Sequence, residues 1–140
     1  MSRIFWDTNL FIYLFESYGQ FSVATVALRT KMLRRGDQLF TSTLTLGELL
    51  IKPRQAGDAE RCLRYERAVA SAATLVDFDN NAARSYSLIR CDRSIRAPDA
   101  IQLSCAASVG MDLFVTNDAR LHGKMVPGIQ FIVALDRVPI

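Results

Sequence analysis

The sequence predicts an α/β domain, with a central parallel sheet of about four to five strands and helices on both faces. Three observations predict it. Short apolar runs alternate with longer amphipathic segments, the pattern that gives parallel sheets covered on both sides. The first run, Ile4-Phe5-Trp6, goes straight into Asp7, and a new apolar segment starts at Leu10. A later run, Leu113-Phe114-Val115, leads the same way into Thr116-Asn117-Asp118. Crossovers between such strands are expected to be right-handed, and ligands to bind beyond the carboxyl ends of the strands.

At 140 residues the chain fits one domain, 1–140. A domain of this size buries roughly 68–70% of its unfolded surface, enough for a core without staples. Half the residues are hydrophobic and 22% charged, which excludes a disordered chain. The longest apolar run, Leu10 to Phe15, is too short for a membrane span, and the start lacks a signal-peptide pattern, so a cytoplasmic protein with no membrane partner is expected. Cys62, Cys91 and Cys105 are far apart, with no C-x-x-C pair, and the chain has one histidine, which argues against zinc. Cys105 lies among Leu103, Ala106 and Ala107 and reads as a small core residue.

Taken in order, Ile4 to Trp6 is a buried strand and Thr8 to Glu16 a helix, broken by Ser17-Tyr18-Gly19. Phe21 to Arg35 is a second helix, with Val23, Val26, Ala27 and Leu33 as an apolar face and basic residues at its end, where they complement the dipole. Gln38 to Ser42 is a strand. Thr43 to Ile51 is a short helix, closed by Pro53 and Gly57. Asp58 caps a helix to about Ala72. Thr74 to Phe78 is a strand, and Asp79 to about Arg93 a helix. Pro98 opens a helix that ends at Val109, before Gly110. After the Leu113 strand come a helical turn at Ala119 to His122 and a last strand, Gln130 to Val133.

Four acids are placed to meet. Asp7 and Asp118 each follow a strand, and Glu48 lies in the first turns of the helix after the second strand. Asp99 begins the helix that leads into the Leu113 strand, so it starts at the same edge if that strand is parallel to the others. Each acid also has a local reading. Thr45-Leu46-Gly47-Glu48 matches a capping box, Asp99 suits a helix dipole, and Asp7 and Asp118 suit helix caps. Together they repel, and burying them unpaired is costly. A cation resolves the conflict, and all-oxygen ligands favour Mg²⁺ or Mn²⁺. The four are therefore the candidate catalytic and metal-ligating residues.

A carboxylate-held metal suits phosphodiester hydrolysis. Asn9 and Thr116 are candidates to hold those carboxylates or waters, with local capping as the alternative. Arg96, three residues before Asp99, is a candidate phosphate contact, with a surface ion pair as the alternative. His122 reads as a surface residue without a nucleophile to serve, and no G-x-x-x-x-G-K-[ST] loop is present. The net charge is +3; with four of 14 acids confined to one site, the rest of the surface is strongly basic, which suits a polyanion.

These residues resemble the motifs of PIN-domain ribonucleases. Phe5-Trp6-Asp7-Thr8-Asn9 is similar to the family's first motif, an apolar strand ending in D-T/S-N. Glu48, within Leu46-Gly47-Glu48-Leu49, matches the second acid. Arg96-Ala97-Pro98-Asp99-Ala100 resembles the third motif, and Thr116-Asn117-Asp118 the fourth. The R-A-P-D-A form and the size look most like VapC-type toxins of toxin–antitoxin pairs. Leu121 and His122 depart from the pattern, where an aromatic often continues the fourth motif. The resemblance implies a three-layer PIN-like fold, a homodimer, and Mg²⁺- or Mn²⁺-dependent cleavage of RNA. It also implies a tRNA or ribosomal RNA substrate and a small cognate antitoxin over the site. A PIN nuclease of RNA processing and an inactive PIN scaffold are the alternatives. A receiver-type signalling domain needs an acid pair after the first strand, and a haloacid-dehalogenase-like phosphatase needs Asp where Asn9 stands.

Overall fold

The computed structural model describes residues 1–140. In chain order the elements are β1 (Arg3–Trp6), α1 (Thr8–Phe15), α2 (Gln20–Arg35), β2 (Gln38–Ser42), α3 (Thr43–Gln55), α4 (Ala59–Ala72), β3 (Thr74–Val76), α5 (Asn80–Ile89), α6 (Ala97–Val109), β4 (Met111–Val115) and β5 (Ile129–Val133). Short 3₁₀ turns at Ala119–Leu121 and Leu135–Arg137 flank the last strand.

All strands are parallel, in the order β3-β2-β1-β4-β5. The chain first moves outward from β1 to β2 and β3. It then returns to place β4 on the other side of β1. The direction of winding therefore reverses between β1 and β4, and sheets of this kind bind ligands at the carboxyl edge of such a point.

Alternation along each strand sorts the core into two layers. Phe5, Phe40 and Phe114 point to one face, with Ala100, Leu103 and Ala106 of α6. Ile4, Trp6, Leu39, Leu113 and Val115 point to the other, with Leu10, Phe11, Met32, Leu49 and Val69 of α1 to α4. Phe5 and Phe114 stack at 5.1 Å between ring centroids across the β1–β4 pair. Cys105 is buried, as expected, and burial pushes its thiol up to about 11. Gly128 enters β5 at φ +98°, and a Cβ there would lie 2.5 Å from the Ala107 carbonyl oxygen, so only glycine lets this turn pass α6.

Element boundaries differ from expectation in two informative places. Helix α3 does not close before Pro53 but runs through it to Gln55, with Pro53 buried. A proline this near the end removes a single helix bond, and its packed ring offsets the loss. Helix α5 stops at Ile89, well before Arg93. Asp92 draws the chain out of the helix: it accepts from the Ser94 N–H and hydroxyl and pairs with Lys124 at 2.8 Å. His122 is half-buried rather than exposed, with Nε2 2.8 Å from the Thr116 carbonyl.

Candidate active site

Asp7 directly follows β1 at the point where the winding reverses, and Thr116 directly follows β4 beside it. The Asp7 N–H donates to the Val115 carbonyl, so the β1–β4 ladder itself fixes where the carboxylate stands. Asp7 caps α1: Oδ1 accepts the Thr8 N–H at 2.8 Å. Oδ2 accepts the Thr116 hydroxyl at 2.7 Å. That hydroxyl oxygen also accepts the Asp118 N–H at 3.1 Å, so Thr116 joins the first acid to the loop of the fourth. Asp7 is only 8% exposed. Burial raises its pKa to about 6, against the two hydrogen bonds, and the charges of Asp99 and Glu48 push the same way.

Glu48 stands in the second turn of α3, whose cap is Ser42; its hydroxyl oxygen accepts the Thr45 N–H. Glu48 is therefore too far into the helix for the capping box that the sequence offers. Its Oε1 instead accepts the Thr8 hydroxyl at 2.6 Å. Asp99 lies in the first turn of α6. Burial and then the charge of Asp118 raise its pKa, opposed by Arg120 and Arg96. Arg96 Nε is 4.0 Å from Asp99 Oδ2, at the outer limit of an ion pair.

Asp118 caps the 3₁₀ turn and is held by Arg120, whose Nε donates at 2.8 Å and whose Nη2 donates to the second oxygen. That fork holds the Asp118 carboxyl below its ordinary range. Asn9 Oδ1 is buried without a hydrogen-bond partner.

The sequence-predicted residues thus share one edge. Glu48, Asp7, Asp99 and Asp118 form a row in which neighbours sense each other's charge. They do not close on one point: no three acid, cysteine or histidine side chains are grouped as metal ligands. Asp118 is turned to Arg120 and Glu48 to Thr8. The donor chemistry nevertheless fits a hard cation, with oxygen ligands throughout and, two residues after Asp7, a buried Asn9 oxygen that has no hydrogen-bond partner. Of the larger concavities, one of about 730 Å³ lined by Arg3, Met111 and Ile129 lies at the amino edge, away from these acids.

Residues 4–124 match the model of the PIN domain family. This chain belongs to the PIN-domain family. PIN-domain nucleases generally use divalent metal ions, so the family and the acid-rich edge agree. The fold resembles that of VapBC2 from Rickettsia felis, solved bound to a promoter DNA fragment, at TM-score 0.73 and 17% identity over 94% of this chain and 97% of that one. It resembles DNA-bound VapBC from Salmonella typhimurium at 0.71 and 22%, over 96% and 99%. It also resembles VapBC-5 from Mycobacterium tuberculosis at 0.64 and 21%, over 96% and 99%. No curated protein matches the sequence significantly.

Sequence reasoning missed Thr8, Gln102 and Arg120. Thr8 lay inside the first motif, and Arg120 lay two residues after an acid. Gln102 offered one signal, a lone amide in an otherwise small and apolar helix.

Proposed function

We propose that this PIN-domain chain is a metal-dependent ribonuclease, and the toxin of a VapBC-type pair. One observation carries the reading: four carboxylates from four segments line the carboxyl edge where the winding reverses, and Asp7 and Asp99 both carry raised pKa values there. An acid edge this crowded is a cost to the fold, which a function explains.

Asp7 and Asp99 would hold the cation, with Glu48 and Asp118 beside them, and Mg²⁺ or Mn²⁺ suits the oxygen donors. When bound, such an ion lowers the pKa of a coordinated water and stabilises charge on the phosphate. The chain's own residues do the rest. Thr8 and Thr116 fix both oxygens of Asp7 before anything binds. Asn9 Oδ1 offers an acceptor to a water. Arg96, largely exposed and only 4.0 Å from Asp99, is free to turn to a phosphate, while Arg120 stays on Asp118.

The toxin reading rests on the R-A-P-D-A form, the chain length and the fold likeness to VapBC complexes. The substrate is then tRNA or ribosomal RNA, in the cytoplasm, and the expected assembly is a homodimer under a small antitoxin. Exposed Phe21, Val23, Val26 and Leu33 on α2 give such a partner apolar surface to cover. The antitoxin would place a basic side chain, an arginine, among the acids.

Purified protein should cleave RNA in Mg²⁺ or Mn²⁺ and stop in EDTA. Folded Asp7→Asn and Asp99→Asn should each lose at least roughly 100-fold, the scale of several kcal/mol of electrostatic stabilisation. Wild-type rates in folded Asp7→Asn would overturn the proposal. Expression alone should stop growth, and co-expression with the adjacent small gene should relieve it. Normal growth on soluble expression, with cleavage intact, leaves the processing nuclease. No cleavage in either metal leaves the inactive scaffold.

A further inference from the structure

Gln102 sits in α6, 2% exposed, and touches three other elements. Its Nε2 donates to the Thr8 hydroxyl oxygen at 3.0 Å and to the Thr45 hydroxyl oxygen at 2.8 Å. Its Oε1 accepts the Ser42 hydroxyl. Thr41 is bonded to the Trp6 carbonyl at 2.8 Å and to Thr45 at 2.7 Å. Thr41, Ser42 and Thr45 are fully buried, and Thr8 nearly so.

Counting hydrogens gives this network a direction. A carbonyl only accepts, so the one Thr41 hydroxyl hydrogen goes to Trp6. The hydrogen between Thr41 and Thr45 is therefore Thr45's. A carboxylate also only accepts, so the 2.6 Å contact to Glu48 Oε1 takes the Thr8 hydrogen, and Thr8 and Thr45, 3.3 Å apart, have none left for each other. Both are acceptors for the two Gln102 amide hydrogens. The Thr8 hydroxyl hydrogen is forced outward, onto Glu48 Oε1 at 2.6 Å. A reversed amide would draw both threonine hydrogens inward and leave the Thr8–Glu48 contact without one. It would also turn an NH₂ toward Ser42.

We infer that Gln102 is a positioning residue: through Thr8 it sets the direction of the hydroxyl network and so fixes the Glu48 carboxylate at the acid edge. The role rests on the nuclease reading above. Gln102 touches neither substrate nor reacting atoms. Its amide ties α6, which carries Asp99, to α1 and α3, which carry Thr8 and Glu48. Loss of such an outer partner typically lowers activity or metal affinity by about 10–100-fold.

The test reads the Glu48 side chain in metal-free protein, through NMR three-bond couplings across its Cα–Cβ bond. Wild type should show one rotamer. Gln102→Met keeps length and burial but loses both donors, and should show averaged couplings. Thr8→Val should do the same. The double variant should be no more averaged than either single one, because both act along one path. Should Gln102→Met not fold, Gln102→Asn, which retracts the amide by one methylene, should show the same averaging. In RNA cleavage, Gln102→Met should lower kcat by about 10–100-fold with KM within about twofold. Couplings that stay fixed in a folded Gln102 variant, or effects that add in the double variant, overturn the inference. A purely structural Gln102 would lower the melting temperature and leave the couplings alone. Wild type that holds Glu48 through Gln102 yet cleaves no RNA overturns the nuclease reading, not the relay.

Discussion

At the amino edge of the sheet, Asp37 Oδ1 accepts the Ser2 N–H at 2.7 Å and Oδ2 takes Arg35 Nε at 2.9 Å. At the carboxyl edge, Asp7 is equally little exposed but lies deeper in the fold, where burial weighs more, and is met only by a neutral amide and a neutral hydroxyl. Burial works to raise both pKa values. At Asp37 the Ser2 amide and the Arg35 cation outweigh it, and the carboxyl falls below its ordinary range. At Asp7 nothing cationic does, and it rises to about 6. The first acid is part of the scaffold. The second is positioned but left uncompensated, the state expected of a group that waits for a cation.

The sharpest way to break this comparison is to melt wild type, Asp7→Asn and Asp37→Asn, each in EDTA and in excess Mn²⁺. Ligand bound only to the folded state adds about 2.7 kcal/mol at a hundredfold excess over Kd. For a domain of this size that is a shift of several degrees. Wild type and Asp37→Asn should show it, and Asp7→Asn should show little. If Mn²⁺ moves none of the three, the acids are helix caps and not a cation site.

The pH dependence in EDTA sharpens the same contrast through its sign. Asp7 has a folded pKa above its unfolded value of 3.8. Its stabilising contribution is therefore present below about pH 4 and lost as the pH rises through about 6. Two pKa units correspond to on the order of 2–3 kcal/mol, so Asp7→Asn should melt several degrees above wild type at pH 7.5, with the gain fading as the pH falls through about 6 and gone below about 4. Asp37 runs the other way. Its contribution is present above the unfolded pKa and lost as the pH falls through its depressed folded value, so Asp37→Asn should melt below wild type at neutral pH, with the gap closing in acid. Equal signs for the two variants at neutral pH would remove the distinction.

That the four acids share one edge was legible because each stands near a local signal: a strand end for Asp7 and Asp118, and the first turns of a helix for Glu48 and Asp99. The parallel sheet was legible from alternation, since Ile4 and Trp6 face one layer and Phe5 the other. What was not legible depends on contacts between distant segments. Gln102 meets Thr8 across 94 positions, and no local pattern marks that. Arg120 lies close to Asp118 in sequence, but its fork requires the 3₁₀ turn that the Asp118 side chain itself caps. Nor did the four acids close around one point, as convergence on an edge invites one to expect. Helix position sets where a carboxylate begins, while its nearest donor, Thr8 or Arg120, sets where it points.

The smallest expected effect concerns Arg96, where the carboxyl edge meets solvent. Its side chain is 65% exposed, and its 4.0 Å approach to Asp99 is too long and too wet to hold much stability. Arg96→Ala should therefore leave the melting temperature within about 1 °C, as surface pairs generally contribute little. If Arg96 meets a phosphate, RNA affinity should fall across all sequences alike. The slope of log affinity against log salt should then lessen by about 0.7, the value per phosphate contact on a single strand. Arg35 is the matched control, because it is equally basic but belongs to the amino edge, where it holds Asp37. Arg35→Ala should lower the melting temperature and leave the salt slope unchanged. An unchanged slope in Arg96→Ala, or an equal change in Arg35→Ala, would make Arg96 an ordinary surface charge and leave RNA contact to other residues.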